Sequence, residues 1–199
     1  EEHATDAGVF LRSMASRGHL GGVAAATTQA VRVMEAAGCD VVLIETVGVG
    51  QSEVEVVALA DTTVGLLAPG LGDGIQAAKA GILEIGDVFV VNKADREGAD
   101  QTRRDLRSMI NLSERRDGSW KPPIVSTVAR AGTGLDELAA ALSEHRTWLE
   151  ETGELTVRRT KRARDEIEAI ALTALRRRWG NLGGTADLDA LASAVAAGE

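Results

Sequence analysis

The chain has 199 residues, of which 44% are apolar and 26% charged, the proportions of an ordinary folded domain, and this excludes collagen-like, mucin-like and wholly disordered readings. Aromatics make up 3%, with no Tyr and two Phe, so stacking platforms for single-stranded nucleic acid are nearly absent and the core has to be built from Ala, Val, Leu and Ile. Formal charge is −8, and over residues 1–100 only 6 Lys and Arg face 15 Asp and Glu, a net −9, which argues against a nucleic-acid partner for that half.

In chain order, Val23, Thr27, Ala30, Val31 and Met34 recur at helical spacing and predict a helix over 20–37, stopped at Gly38. Cys39, between that stop and the next apolar run, reads as a small core residue. Four short apolar runs, at 41–44, 62–67, 88–91 and around Ile124-Val125, predict fully buried strands. They are continuous rather than alternating and rich in β-branched residues, as a parallel sheet covered on both faces requires. Helical patterns over 52–60, 74–84, 101–112 and 134–150 separate and follow them. The fold class that follows is α/β, a doubly wound, mostly parallel sheet.

After Trp148 the character changes, and the domain reading is 1–150 followed by a helical extension over 151–199. A charged helix over 157–179 carries the stripe Ile167, Ile170, Ala171, Ala174 and Leu175, and a short helix over 187–196 closes the chain. Such a stripe has to pack on the core or on a second subunit. Basic residues gather here, at Arg158-Arg159, Lys161-Arg162, Arg164 and Arg176-Arg177-Arg178; they read as a solvated helix face, the alternative being an anionic partner.

No apolar run approaches the roughly 18 residues of a membrane span, and no signal peptide is visible. The lone Cys39 excludes a disulfide framework and a Cys-based zinc site, and with these features predicts a cytoplasmic protein. His3 and His145 have no partner pattern and read as solvated.

The sharpest motif is Asn92-Lys93-Ala94-Asp95, directly after the apolar run ending at Val91. In a doubly wound fold, ligands bind outside the carboxyl ends of the strands. A carboxylate at Asp95 can accept from both the ring N–H and the exocyclic amine of guanine, a donor pair adenine lacks. Lys93 can lay its methylene stem along the purine face, and Asn92 can tie neighbouring loops through its amide. The plainer alternative is a strand ending in Asn, with Asp95 capping the next helix.

A second motif runs from Asp40 to Glu53, where a strand delivers Glu45 to its carboxyl end and the glycine loop around Gly48 and Gly50 follows. This resembles a Walker-B strand, with the Glu45 carboxylate holding a water on magnesium and the Gly48 N–H reaching a terminal phosphate. The alternative is a surface Glu before a turn. Third, the strand at Ile124 runs into the small-residue loop Thr127 to Gly134. In GTPases such a loop backs the guanine with backbone N–H groups, here those of Val128, Ala129 and Arg130.

Glu45 to Glu53, Gly18 to Val23, Gly72 to Gly81 and the Asn-Lys-Ala-Asp box together resemble the MeaB/ArgK family of P-loop GTPases. The likeness extends from about Val9 to the end. It implies a dimeric GTPase that binds GTP or GDP with magnesium, acts as a chaperone for adenosylcobalamin-dependent methylmalonyl-CoA mutase, gates cofactor loading and protects the mutase. It further implies that the C-terminal helices make the homodimer. Asp73 and Lys79 fall where the family has an extra switch loop that couples nucleotide state to the mutase.

The chain departs from that pattern in two places. No Gly-x-x-x-x-Gly-Lys-Ser/Thr cradle occurs in the 199 residues. The chain also begins Glu1-Glu2-His3 rather than with Met. The expectation is a fragment of a longer product, inactive by itself. Where Ras-like enzymes carry a water-orienting glutamine after the loop glycine, Val49 stands here, so slow turnover stimulated by a partner is expected, with Gln51 and Glu53 as candidate substitutes. Two rival functions are a non-catalytic dimerisation and docking module and a nickel metallochaperone GTPase; the latter is disfavoured by the lack of a His-rich tract.

Overall fold

A computed structural model describes residues 5–14, 26–45, 58–70, 83–112, 118–179 and 186–198. They form two compact units, 1–155 and 156–199.

The first unit is α/β. Its elements are α1 (Thr27–Ala36), β1 (Val64–Leu67), β2 (Val88–Asn92), α2 (Ala99–Leu112), β3 (Ile124–Thr127), a 3₁₀ turn (Ala129–Ala131) and α3 (Leu135–Thr152). The three strands make a parallel sheet in the order β1-β2-β3, with Val64 opposite Val88 and Asn92 opposite Thr127. Parallel neighbours need crossovers, and α2 supplies the one between β2 and β3.

Central β2 is the strand that a continuous apolar run describes. Val88 to Val91 are at most 1% exposed. On one face Phe89 and Val91 join Leu67, Ala99, Leu106 and Ile110 in a cluster, the last three from α2. Alternate residues point to opposite faces, so Val88 and Val90 are buried on the other side. Helix α3 packs against β2 and β3 and buries Ala141, His145 and Leu149, one turn apart along a single face.

Four predictions need correction. Residues 41–45 form no strand among the described residues, and Val41 and Leu43 are exposed; an apolar run becomes a strand only where a ladder partner meets its N–H and C=O groups. β1 is half covered rather than fully buried, because it lies at the sheet edge and Val64 and Leu66 face outward. Cys39 is exposed, not a core residue, because it belongs to the unpaired stretch that follows α1. The helix stop before it is as expected: Gly38 adopts φ +88°, and the Cys39 N–H reaches back to the Met34 carbonyl at 3.0 Å.

His145, read as solvated, is fully buried. Its Nδ1 lies 2.8 Å from Thr62 Oγ1, and its Nε2 lies 3.4 Å from Asp87 Oδ1. Asp87 Oδ2 accepts from the Thr63 N–H at 2.9 Å, and the Asp87 carbonyl accepts from the Trp120 indole at 2.6 Å. The rings of Trp120 and Trp148 pack on the imidazole at 4.8 and 5.9 Å. This polar knot joins α3 to the amino ends of the strands.

The second unit contains nearly all of α4 (Glu154–Trp179), which starts one residue after Gly153, and α5 (Ala186–Ala197). The stripe expected to be covered is open in the single chain: Ile167 is 68% exposed and Ile170 58%.

Candidate functional site

The carboxyl ends of β2 and β3 lie side by side, since Asn92 and Thr127 are register partners. Asn92 Oδ1 accepts from Thr127 Oγ1 and from the Ala129 N–H, both at 3.1 Å. An N–H can only donate, which fixes the amide oxygen toward the turn. Immediately after Asn92 the chain reverses at Lys93, whose φ of +58° makes it the only non-glycine residue with positive φ among the described residues. That reversal lets the Ala94 N–H reach the Thr127 carbonyl and the Arg96 N–H return to the Lys93 carbonyl, each at 3.0 Å.

The second wall is the loop from Val128 to Gly134. The Val128 N–H donates to Thr133 at 3.0 Å, and the Ala131 N–H donates to Val128 at 2.8 Å. Gly134 closes the loop at φ +79°, where a Cβ would fall on the Ser126 carbonyl oxygen; no other residue fits this approach without shifting the end of β3. In a 3₁₀ turn that begins at Ala129, the first N–H groups lack intrahelical acceptors. Ala129's is taken by Asn92. Arg130's is the one a ligand could take.

Between the walls is a cleft of about 200 Å³ lined by Asn92, Lys93, Asp95, Arg96, Val128, Ala129 and Arg130. Six of these seven are the residues singled out for base recognition. Arg96 is the one sequence reasoning passed over, although it directly follows the Asn-Lys-Ala-Asp box. Asp95 is exposed, and its carboxylate makes no ion pair among the described residues despite three neighbouring cations around the same cleft. The arrangement can present an acceptor pair, an aliphatic stem and a backbone donor to one planar heterocycle.

The other candidates are not gathered here. Glu45 is exposed at the end of 41–45 and does not line the cleft. Gly48, Asp73 and Lys79, and with them Val49, Gln51 and Glu53, lie outside the described residues. Among the described residues no group of three or more His, Cys, Asp or Glu forms a metal cage. One carboxylate nevertheless suits magnesium, which is commonly held by one or two carboxylates together with substrate phosphates and water.

A family profile described as methylmalonyl-CoA mutase-associated GTPase MeaB matches residues 1–181. The chain belongs to the MeaB family. It is 51% identical over 172 residues to a putative GTPase of Pyrococcus abyssi, covering 85% of this chain and 53% of that protein. It is 37% identical over 161 residues to the mitochondrial methylmalonic aciduria type A homolog of Mus musculus, covering 79% of this chain and 39% of the relative. With the GTPase ArgK of Escherichia coli it shares 36% over 149 residues, 73% of this chain and 45% of that protein. The chain spans about half the length of curated relatives it matches. The family and the Pyrococcus abyssi and Escherichia coli relatives are named as GTPases. Among the described residues no helix is long and apolar enough to cross a membrane.

Proposed function

We propose that these residues form the guanine-binding part of a cytoplasmic, magnesium-dependent GTPase that acts as a chaperone for adenosylcobalamin-dependent methylmalonyl-CoA mutase, gating cofactor loading and protecting the mutase. The observation that carries the nucleotide reading is the cleft, in which Asn92 ties the Asn-Lys-Ala-Asp turn to the 3₁₀ turn and leaves Lys93, Asp95 and the Arg130 N–H at its rim. The mutase reading rests on the family and on the name of the mouse relative.

In this reading Asp95 selects guanine, Lys93 covers one face of the base, and Asn92 with Val128 and Ala129 braces the walls. Glu45 organises magnesium through water, and Gly48 senses the terminal phosphate. Asp73 and Lys79 couple nucleotide state to the mutase. The phosphates need a Gly-rich cradle that the 199 residues do not contain, so the chain by itself does not hydrolyse GTP. Residues 1–150 act as the GTPase portion and 151–199 as the extension that pairs two copies, through the stripe left open on α4.

The test is Asp95→Asn in a protein of full family length. The substitution replaces one acceptor by a donor, which opposes guanine's amine and suits the carbonyl of xanthine. Each hydrogen bond to a charged group is worth about 1.5–3 kcal/mol, so GDP affinity should fall about 10- to 100-fold while XDP affinity rises. An unchanged preference in nucleotide titration removes Asp95 from base recognition. The docking-module alternative expects no guanine-nucleotide binding by the full-length protein either, and a GDP titration of the 199-residue chain tests the cradle: measurable affinity without it would contradict the need for one.

A further inference from the structure

The base-recognition residues account for only part of the charge around the cleft. Its ionisable lining consists of Lys93, Arg96 and Arg130 against the single carboxylate of Asp95. The surrounding sequence has the opposite balance. Residues 1–100 hold 6 Lys and Arg against 15 Asp and Glu, and two of those six cations, Lys93 and Arg96, stand at this one cleft. Both arginines are exposed, and among the described residues neither guanidinium is held in an ion pair. They are not consumed by structure: Arg96 enters the turn through its backbone N–H, donated to Lys93, and Arg130 sits in the 3₁₀ turn through its backbone.

A nucleoside polyphosphate approaching an acidic surface is repelled over a Debye length, about 30 Å at 0.01 M salt and about 8 Å at 0.15 M. A cluster of unpaired cations at the point of entry reverses the sign of the local field and raises the rate of productive encounter. We infer that the side chains of Arg96 and Arg130 form an electrostatic collar that captures the nucleoside polyphosphate at the base-binding end of the site. The collar rests on the guanine-cleft reading above. It extends that reading by assigning Arg96, and the Arg130 guanidinium as distinct from its N–H, to the capture step rather than to base choice. Arginine suits the task because its charge persists at every physiological pH.

The test is stopped-flow association of fluorescent N-methylanthraniloyl-GDP with the full-length protein between about 0.01 and 0.3 M salt. Three forms are compared: wild type, Arg96→Gln/Arg130→Gln, and the charge-preserving Arg96→Lys/Arg130→Lys. The neutral pair should lower the association rate about tenfold at the lowest salt and flatten its salt dependence. The lysine pair should stay within about threefold of wild type, and the ratio of GDP to XDP affinity should be the same in all three. Equal association rates for neutral pair and wild type at low salt overturn the collar. So does a loss that the lysine pair shares in full or that salt does not modulate. Failure of the guanine reading looks different: wild type would bind no GDP, or Asp95→Asn would leave the GDP to XDP ratio unmoved.

Discussion

Lys93 combines backbone strain with the base-covering task proposed for it. A left-handed conformation costs a residue with a Cβ about 1–2 kcal/mol, and the chain accepts it at the turn that brings Asn92, Lys93 and Asp95 to line one cleft. Glycine takes that conformation freely but has no stem to lay on a base. Lys93→Gly should therefore leave stability unchanged or raise it by up to about 1 kcal/mol, while GDP affinity falls about tenfold with the lost apolar contact. Chemical denaturation and nucleotide titration on one preparation measure both. A variant that melts earlier and binds equally well would show that the lysine serves the turn and not the ligand. Much of this neighbourhood was legible in the sequence, because chemistry-bearing side chains such as Asn92 and Asp95 follow directly on a recognisable strand. The left-handed turn at Lys93 was not legible: nothing in Asn-Lys-Ala-Asp demands positive φ, and the Thr127 carbonyl that receives the Ala94 N–H comes from a distant strand. Arg96 escaped for another reason, since its role depends on which side chains share a cleft.

Among the elements, α3 and β2 matched the expected bounds closely, because a long periodic helix and a continuous apolar strand each carry their own local signal. The run at 41–44 has equal apolar content but no ladder partner among the described residues, and composition does not reveal a partner. His145 was misplaced although a signal existed: it stands between Ala141 and Leu149 at four-residue intervals, which puts it on the inward face of α3. A polar residue at that position is costly to bury without partners; Thr62 Oγ1 meets Nδ1, and the Asp87 carboxylate stands 3.4 Å from Nε2 without a hydrogen bond to it. The knot they form fastens α3 to the amino ends of the strands, and α3 begins directly after the loop that walls the cleft. His145→Ala should remove ring packing and polar contacts together and cost about 3–4 kcal/mol, read from urea unfolding monitored by far-UV circular dichroism. Destabilisation below about 1 kcal/mol would mean that Trp120 and Trp148 close over the gap and that the imidazole is not the fastening.

For the whole molecule the two units pose different problems of exposed surface. The first has an apolar cluster around β2; the second has two helices whose large apolar side chains remain in contact with water, Ile167, Ile170, Leu172 and Leu175 on α4 and Leu188, Leu191 and Val195 on α5. Single exposed aliphatics are ordinary, but a run of them along a helix marks a contact surface. A second copy of the same unit is the partner under the dimer proposal, and a two-fold arrangement would set each stripe against its own equivalent. Replacing Ile170 and Leu175 by Glu puts like charges directly across such an interface, where desolvation and repulsion act together. The double variant of the full-length protein should run at half the wild-type mass in light scattering at micromolar concentration, while GDP affinity, which the proposal assigns to the first unit, stays within about twofold. Because helical content tests folding separately, an unaltered mass with intact helices would rule the stripe out as the contact between copies. A halved mass accompanied by lost GDP binding would instead tie nucleotide affinity to pairing of the two copies and remove the division of labour between the units.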